Sequence, residues 1–399
     1  MQPINFDPLA YIDDEALGID WSNDDKKPDI EADPEEKKGG KATFRAVNSE
    51  GEVLLKSLPK DDAKLRKVVE GKVCIIEGGS ERVCKRLYDC GAKVIIRYAT
   101  SWVGKLRDAA GLESKSMSSK DHHAEDAKIL LALWGRYPEK AYVWNPDPRL
   151  LELKALATLF SSMQKTRKVL TGQAYAIESE TIEARKKEFE KIEETLDKEF
   201  HRICSEFPFY TEYLREVPGM GARLCGKGIA LAGGVPGFHR RFPKLKNFKS
   251  YNGMAPNKYG DAQNRRIKRL ESQGLEPHLT EYANKKQAYW LGEVAPCFIK
   301  MIGGERVSTK GKKFIVPRCP YRDVYDAAQE VEYDKVWDKD YETKTLKIGK
   351  KVPNWLAEKR CKRKMMVAFI RDFYFKMCEY SRRLEEEQKK GNYWLDKDD

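Results

Sequence analysis

Three short apolar runs constrain this chain most: LGIDWS from Leu17, KVCIIEGG from Lys72 and AKVIIRYA from Ala92. Each is short and rich in β-branched residues, and so reads as a buried strand. DDAKLRKVVEG and SERVCKRLYDCG lie between them, with helical spacing and a terminal Gly. KATFRAVN and EVLLKSL flank the turn NSEG and predict a hairpin, and HHAEDAKILLALWGRY predicts a longer helix. The order is three strands, helix, strand, helix, strand, helix, which makes residues 1–147 an α/β domain with an acidic loop over 21–40.

Between Pro148 and Phe207 there is no Pro and a single Gly, and Ile182, Phe189, Leu196 and Ile203 recur every seven residues. This spacing predicts a long helix or helical hairpin with a coiled-coil seam over 148–208, packed within the chain or serving as a dimerising arm. VPGMGARLCGKGIALAGG then opens a basic, mainly α domain over 209–295 and 355–388, closed by the amphipathic KRKMMVAFIRDFYFKM. Residues 296–354 mix Gly, Pro, aromatics and charge, as an insertion with its own small fold would.

The 399 residues carry 75 Lys and Arg against 63 Asp and Glu. Residues 1–40 are acidic, with a net −8, whereas residues 210–320 hold twenty-one basic and eight acidic side chains, a net +13. A solvated basic face is one explanation and a polyanion partner the other. The aromatic and turn residues interleaved in GVPGFHRRFPKLKNFKSYNGMAPNKYG favour nucleic acid, because cations bind phosphate while rings and glycine backbone allow close approach. No apolar run approaches about 18 residues and the N-terminus lacks a signal-peptide pattern, so a cytoplasmic, nucleoid-associated protein without a membrane partner is expected. Nine cysteines without a CxxC pair read as reduced, mostly buried thiols.

Four residues form a candidate catalytic and metal-binding set. Asp20 ends the first strand and Glu77 the fourth, while His123 and Asp126 share one helix face at i and i+3. Where those strands are neighbours, the set converges on one sheet edge and suits two Mg²⁺ or Mn²⁺ ions in phosphodiester cleavage. Pro218-Gly219-Met220-Gly221 before an apolar helix reads as a phosphate-binding hairpin, with Arg223, Lys227, Arg240, Arg241, Lys244 and Lys246 nearby in sequence. A second basic cluster, Arg265, Arg266, Lys268 and Arg269 with Lys258 before it, is a further candidate phosphate contact.

LGIDWSN, CIIEGG and HHAEDAKILLAL resemble the three acidic motifs of the RuvC branch of the RNase H-like superfamily. With VPGMGARLCGKGIALAGG, FPKLKNFKSYNGMAP and the closing helix, the chain is similar to the DEDD transposases of the insertion-sequence-110 family. The resemblance implies a RuvC-like domain, a helical arm and a C-terminal transposase domain with a helix-hairpin-helix-like element. It further implies DNA recombination guided by a structured RNA, in a homodimer or homotetramer. The family's DxxD corresponds here to His123-Ala-Glu-Asp126, with Asp121 as the alternative to His123. The resemblance also implies a serine nucleophile shortly after the "GL.P" stretch, yet Pro256 to Asn264 contains none. Ser272 and Tyr259 are the candidate hydroxyls. Two other readings stand beside the transposase: a structure-selective nuclease using water attack, which needs no serine, and a non-catalytic nucleic-acid-binding descendant.

Overall fold

The computed structural model describes residues 4–22, 43–77, 81–98, 103, 122–177, 179–252, 254, 285–307, 312–337 and 347–390. The chain divides into two units, Met1–Pro146 with Leu384–Asp399 and Asp147–Arg383.

The first unit is built on a six-stranded mixed sheet in the order β3-β2-β1-β4-β5-β6. Its strands are β1 (Ala16–Ser22), β2 (Thr43–Val47), β3 (Val53–Leu55), β4 (Val73–Glu77), β5 (Val94–Tyr98) and β6 (Tyr142–Val143). β1 pairs antiparallel with β2 and parallel with β4, and β4 continues parallel to β5. The apolar runs that signalled strands are therefore the central ones, where both faces are covered. The two-residue β6, antiparallel to β5, is too short to leave a sequence signal.

Alternation sorts the core into two layers. Val73, Ile75, Val94, Ile96 and Tyr98 face α3 (His122–Arg136), packing with its Leu130, Leu133 and Trp134. The opposite face carries Cys74, Ile95 and Arg97. α2 (Glu81–Asp89) covers it, held through the ion pair of Arg97 with Glu81 (3.1 Å). Arg86 of α2 in turn pairs with Asp62 (2.7 Å) of α1 (Asp62–Val69).

The second unit is mostly helical. α4 (Pro148–Ile177) and α5 (Glu180–Cys204) form the expected hairpin. Phe160 meets Phe200 (ring centroids 6.3 Å) and Arg167 meets Glu193 (2.8 Å), so the two helices run antiparallel. The heptad seam deepens along α5: Ile182 and Phe189 are half-buried, Leu196 and Ile203 buried. The base of the hairpin packs on α6 (Ala222–Ala232), where a Cβ on Gly226 would stand 2.8 Å from the Phe200 ring. α7 (Leu245–Tyr251) and α8 (Lys285–Lys300) follow, then a two-stranded hairpin of β7 (Glu305–Val307) and β8 (Lys313–Ile315). α9 (Pro320–Glu332) and α10 (Asn354–Lys389) are the last described helices.

Phe369 and Phe373 of α10 are the hub of this core, meeting Trp290, Phe298, Tyr321, Phe209 and Phe248. α8 continues through Pro296 to Lys300, and Tyr321 of α9 stacks on Phe298 (5.0 Å). All nine cysteines are free, eight of them buried, as their spacing implied. Among the described residues no helix is long and apolar enough to cross a membrane.

Candidate functional site

The site begins at a glycine. Gly18 of β1 has no room for a side chain, since a Cβ there would stand 2.0 Å from the Ala127 carbonyl oxygen of α3. That contact fixes the register of helix on strand. From Gly18, two residues along β1 reach Asp20, about 6.6 Å on; one turn back along α3 from Ala127 reaches His123, about 6 Å away. The two side chains therefore meet, and His123 Nδ1–H donates to Asp20 Oδ2 at 2.5 Å. Asp20 is buried at 7% exposure, so this bond sits largely out of water and gains strength from it. In a neutral imidazole that donates through Nδ1, Nε2 keeps a lone pair that can ligate a cation or accept a proton.

Glu77 belongs to the same edge. Ile19 and Ile76 are the last paired residues of β1 and β4, so Asp20 and Glu77, one position further, sit level on parallel neighbours. Alternation puts both on the face shared by Gly18 and Ile75. Glu77 and Asp126 are half-buried. Among the described residues no group of three or more His, Cys, Asp or Glu side chains closes into a metal cage. Asp121 lies outside the described residues. The donor set nevertheless fits Mg²⁺ chemically: that ion is commonly held by one or two carboxylates, with waters and substrate phosphate oxygens completing its shell.

The basic set separates into structural and surface members. Lys227 is 3% exposed and pairs with Glu293 of α8 (2.9 and 3.1 Å), so burial removes this expected phosphate contact from the surface. Arg241 donates to the Ala232 carbonyl (2.9 Å) and so caps the C-terminus of α6. Arg223 lies over the Phe160 ring (4.4 Å) and beside Asp197 (3.5 Å). Lys244 and Lys246 are exposed and Arg240 half-buried.

Pro218 and Gly219 form a tight turn in which Met220 N–H donates to the Val217 carbonyl (3.0 Å), with Gly219 at φ 91°. Gly219 also lets α8 approach, since a Cβ would stand 3.3 Å from the Cys297 backbone. Gly221, just before α6, is exposed, and among the described residues nothing stands within 4 Å of where its Cβ would be. Gly228 serves packing alone, against Trp290. Lys258, Tyr259, Arg265, Arg266, Lys268, Arg269 and Ser272 lie outside the described residues.

Sequence reasoning missed Gly18 and Glu293. The signal for the first was a Gly two residues before the strand-ending Asp; an isolated Glu on a later helix gave none for the second. No protein-family model matches the chain, and neither does any curated protein.

Proposed function

We propose that this protein is a metal-dependent nucleic-acid strand-cleaving enzyme of the RuvC-like, RNase H-like kind, acting as a DNA transposase or recombinase. The observation that carries this reading is the Asp20–His123 bond, with Glu77 level on the next parallel strand. The element order of three strands, helix, strand, helix, strand and covering helix agrees with the order on which the insertion-sequence-110 resemblance rests. Asp20 and Glu77 would hold Mg²⁺ or Mn²⁺, and His123 would orient Asp20 or carry a proton. When bound, such an ion activates water and offsets charge at the scissile phosphate.

The partners belong to the same proposal: DNA, a structured guide RNA, and a second copy of the chain. Tyr175 and Ile177, 92% and 66% exposed at the far end of the α4–α5 hairpin, offer apolar surface for that second copy. The nuclease alternative, with water as the nucleophile, is favoured by one observation, the lack of serine between Pro256 and Asn264.

Two experiments test the reading. Wild-type protein incubated with branched and linear duplex DNA is expected to cut in Mg²⁺ or Mn²⁺ and to stop when the metal is chelated. No cleavage of any of these substrates would overturn the enzyme reading. Protein purified with several hundred flanking base pairs of its locus is expected to carry a discrete RNA; heterogeneous RNA or none favours the unguided nuclease.

A further inference from the structure

From Lys347 to Lys364 eight of eighteen residues are Lys or Arg and one is acidic, a net +7, outside the basic region singled out above. This run forms a small lobe with the end of α9. Trp337 N–H donates to the Lys350 carbonyl and Val352 N–H to the Lys335 carbonyl, both at 2.8 Å, over an apolar centre of Trp337, Val352 and Ala357. Part of the charge is spent inside the lobe. Lys335, Lys364 and Arg360 converge on Glu332, which is 2% exposed, at 2.8, 2.6 and 3.4 Å. Lys351 pairs with Asp334 and Lys362 with Glu358.

Lys350 and Lys359 are exposed and have no acidic partner among the described residues. Between them in sequence is Trp355, 56% exposed, a large ring for a protein to leave in water. Trp355 and Lys359 are i and i+4 on α10, so they share one face, while Leu356 and Ala357 pack into the lobe. An exposed π-surface that shares a helix face with Lys359 and lies five residues from Lys350 in sequence matches the chemistry of a nucleobase joined to phosphates.

We propose that Trp355, with Lys350 and Lys359, is a stacking platform for an unpaired nucleotide, in RNA or DNA, whose flanking phosphates the two lysines contact. This rests on the nucleic-acid reading above and gives the C-terminal part a contact that tolerates any base, since every base offers a π-face.

Fluorescence anisotropy of the full chain tests it, using labelled 20-nucleotide single-stranded RNA, DNA of the same sequence, and the DNA duplex, over a range of KCl. Trp355→Ala is expected to weaken single-strand binding about tenfold, and Trp355→Phe to keep most of it, because Phe still stacks. Lys350→Ala with Lys359→Ala is expected to lower the slope of log K against log salt by about 1.4. The strand type bound more tightly by the wild type identifies the source of the nucleotide.

If the wild type binds and all variants match it in affinity and slope, the platform is overturned while the proposed function stands. If the wild type binds none of the probes, both fail together. Binding to phosphatidylserine vesicles that Trp355→Ala abolishes, with nucleic-acid binding untouched, assigns the face to a membrane surface and also overturns the platform. Should Trp355→Ala prove unfolded in a thermal melt, the lysine variant and Trp355→Phe decide between the same outcomes.

Discussion

Gly18 decides whether the candidate site exists. It is a point of closest approach between α3 and β1, one that fixes their register and so brings His123 to Asp20. Gly18→Ala forces a methyl group into the Ala127 carbonyl, and overpacking of this kind costs about 1–3 kcal/mol, here at the upper end because backbone must move. A urea melt is expected to show that loss, and the variant should lose cleavage more completely than stability, since α3 shifts relative to Asp20. Full activity in Gly18→Ala would mean that the Asp20–His123 geometry is not required. The acidic candidates were legible in the sequence because they end strands and open a helix. Their meeting was not, because it depends on a helix-on-strand register that one missing side chain sets.

At the scale of elements, two buried charge clusters tie helices together. Lys227 joins α6 to α8 through Glu293, and truncating one member of a buried pair leaves the other uncompensated, at a cost of about 3–5 kcal/mol. Lys227→Ala is thus expected to destabilise strongly while leaving the salt slope of nucleic-acid binding unchanged; a lowered slope in a folded variant would return Lys227 to the binding surface. Glu332 joins α9 to α10. Burial alone would raise its carboxyl, but Lys335 and Lys364 donate to it and hold it at about 2, against an ordinary 4.5. Its folded value lies below the unfolded one, so its contribution is present above about pH 4.5 and is lost as pH falls toward about 2. Glu332→Gln should flatten that part of the acid-unfolding curve, and an unchanged curve would contradict the assignment. Composition made the region around Lys227 look like ligand-binding charge. It cannot tell a lysine that faces water from one that faces a carboxylate two helices later. Periodicity did better, because the seam through Leu196 and Ile203 is a local pattern and the structure buries both.

For the whole molecule, the expected layout of an α/β part followed by a mostly helical part is present, and its strand edge brings Asp20, Glu77 and His123 close together, three of the residues that the sequence marked for chemistry. The order of apolar segments carried that architecture, since each buried strand and amphipathic helix announces itself within a dozen residues. The role of 296–354 was not legible, because its Gly, Pro and aromatic residues pack against helices far away in sequence, as Tyr321 does on Phe298 and Phe369. The most direct test is strand cleavage by Asp20→Asn beside the wild type, on branched DNA in Mg²⁺, with binding to the same DNA followed in parallel. Asp20→Asn keeps the shape of the side chain and removes its charge. Cleavage reduced by at least about a hundredfold with binding unchanged is the result expected of a residue that holds the metal. Cleavage equal to the wild type would contradict the assignment of this edge as the catalytic centre.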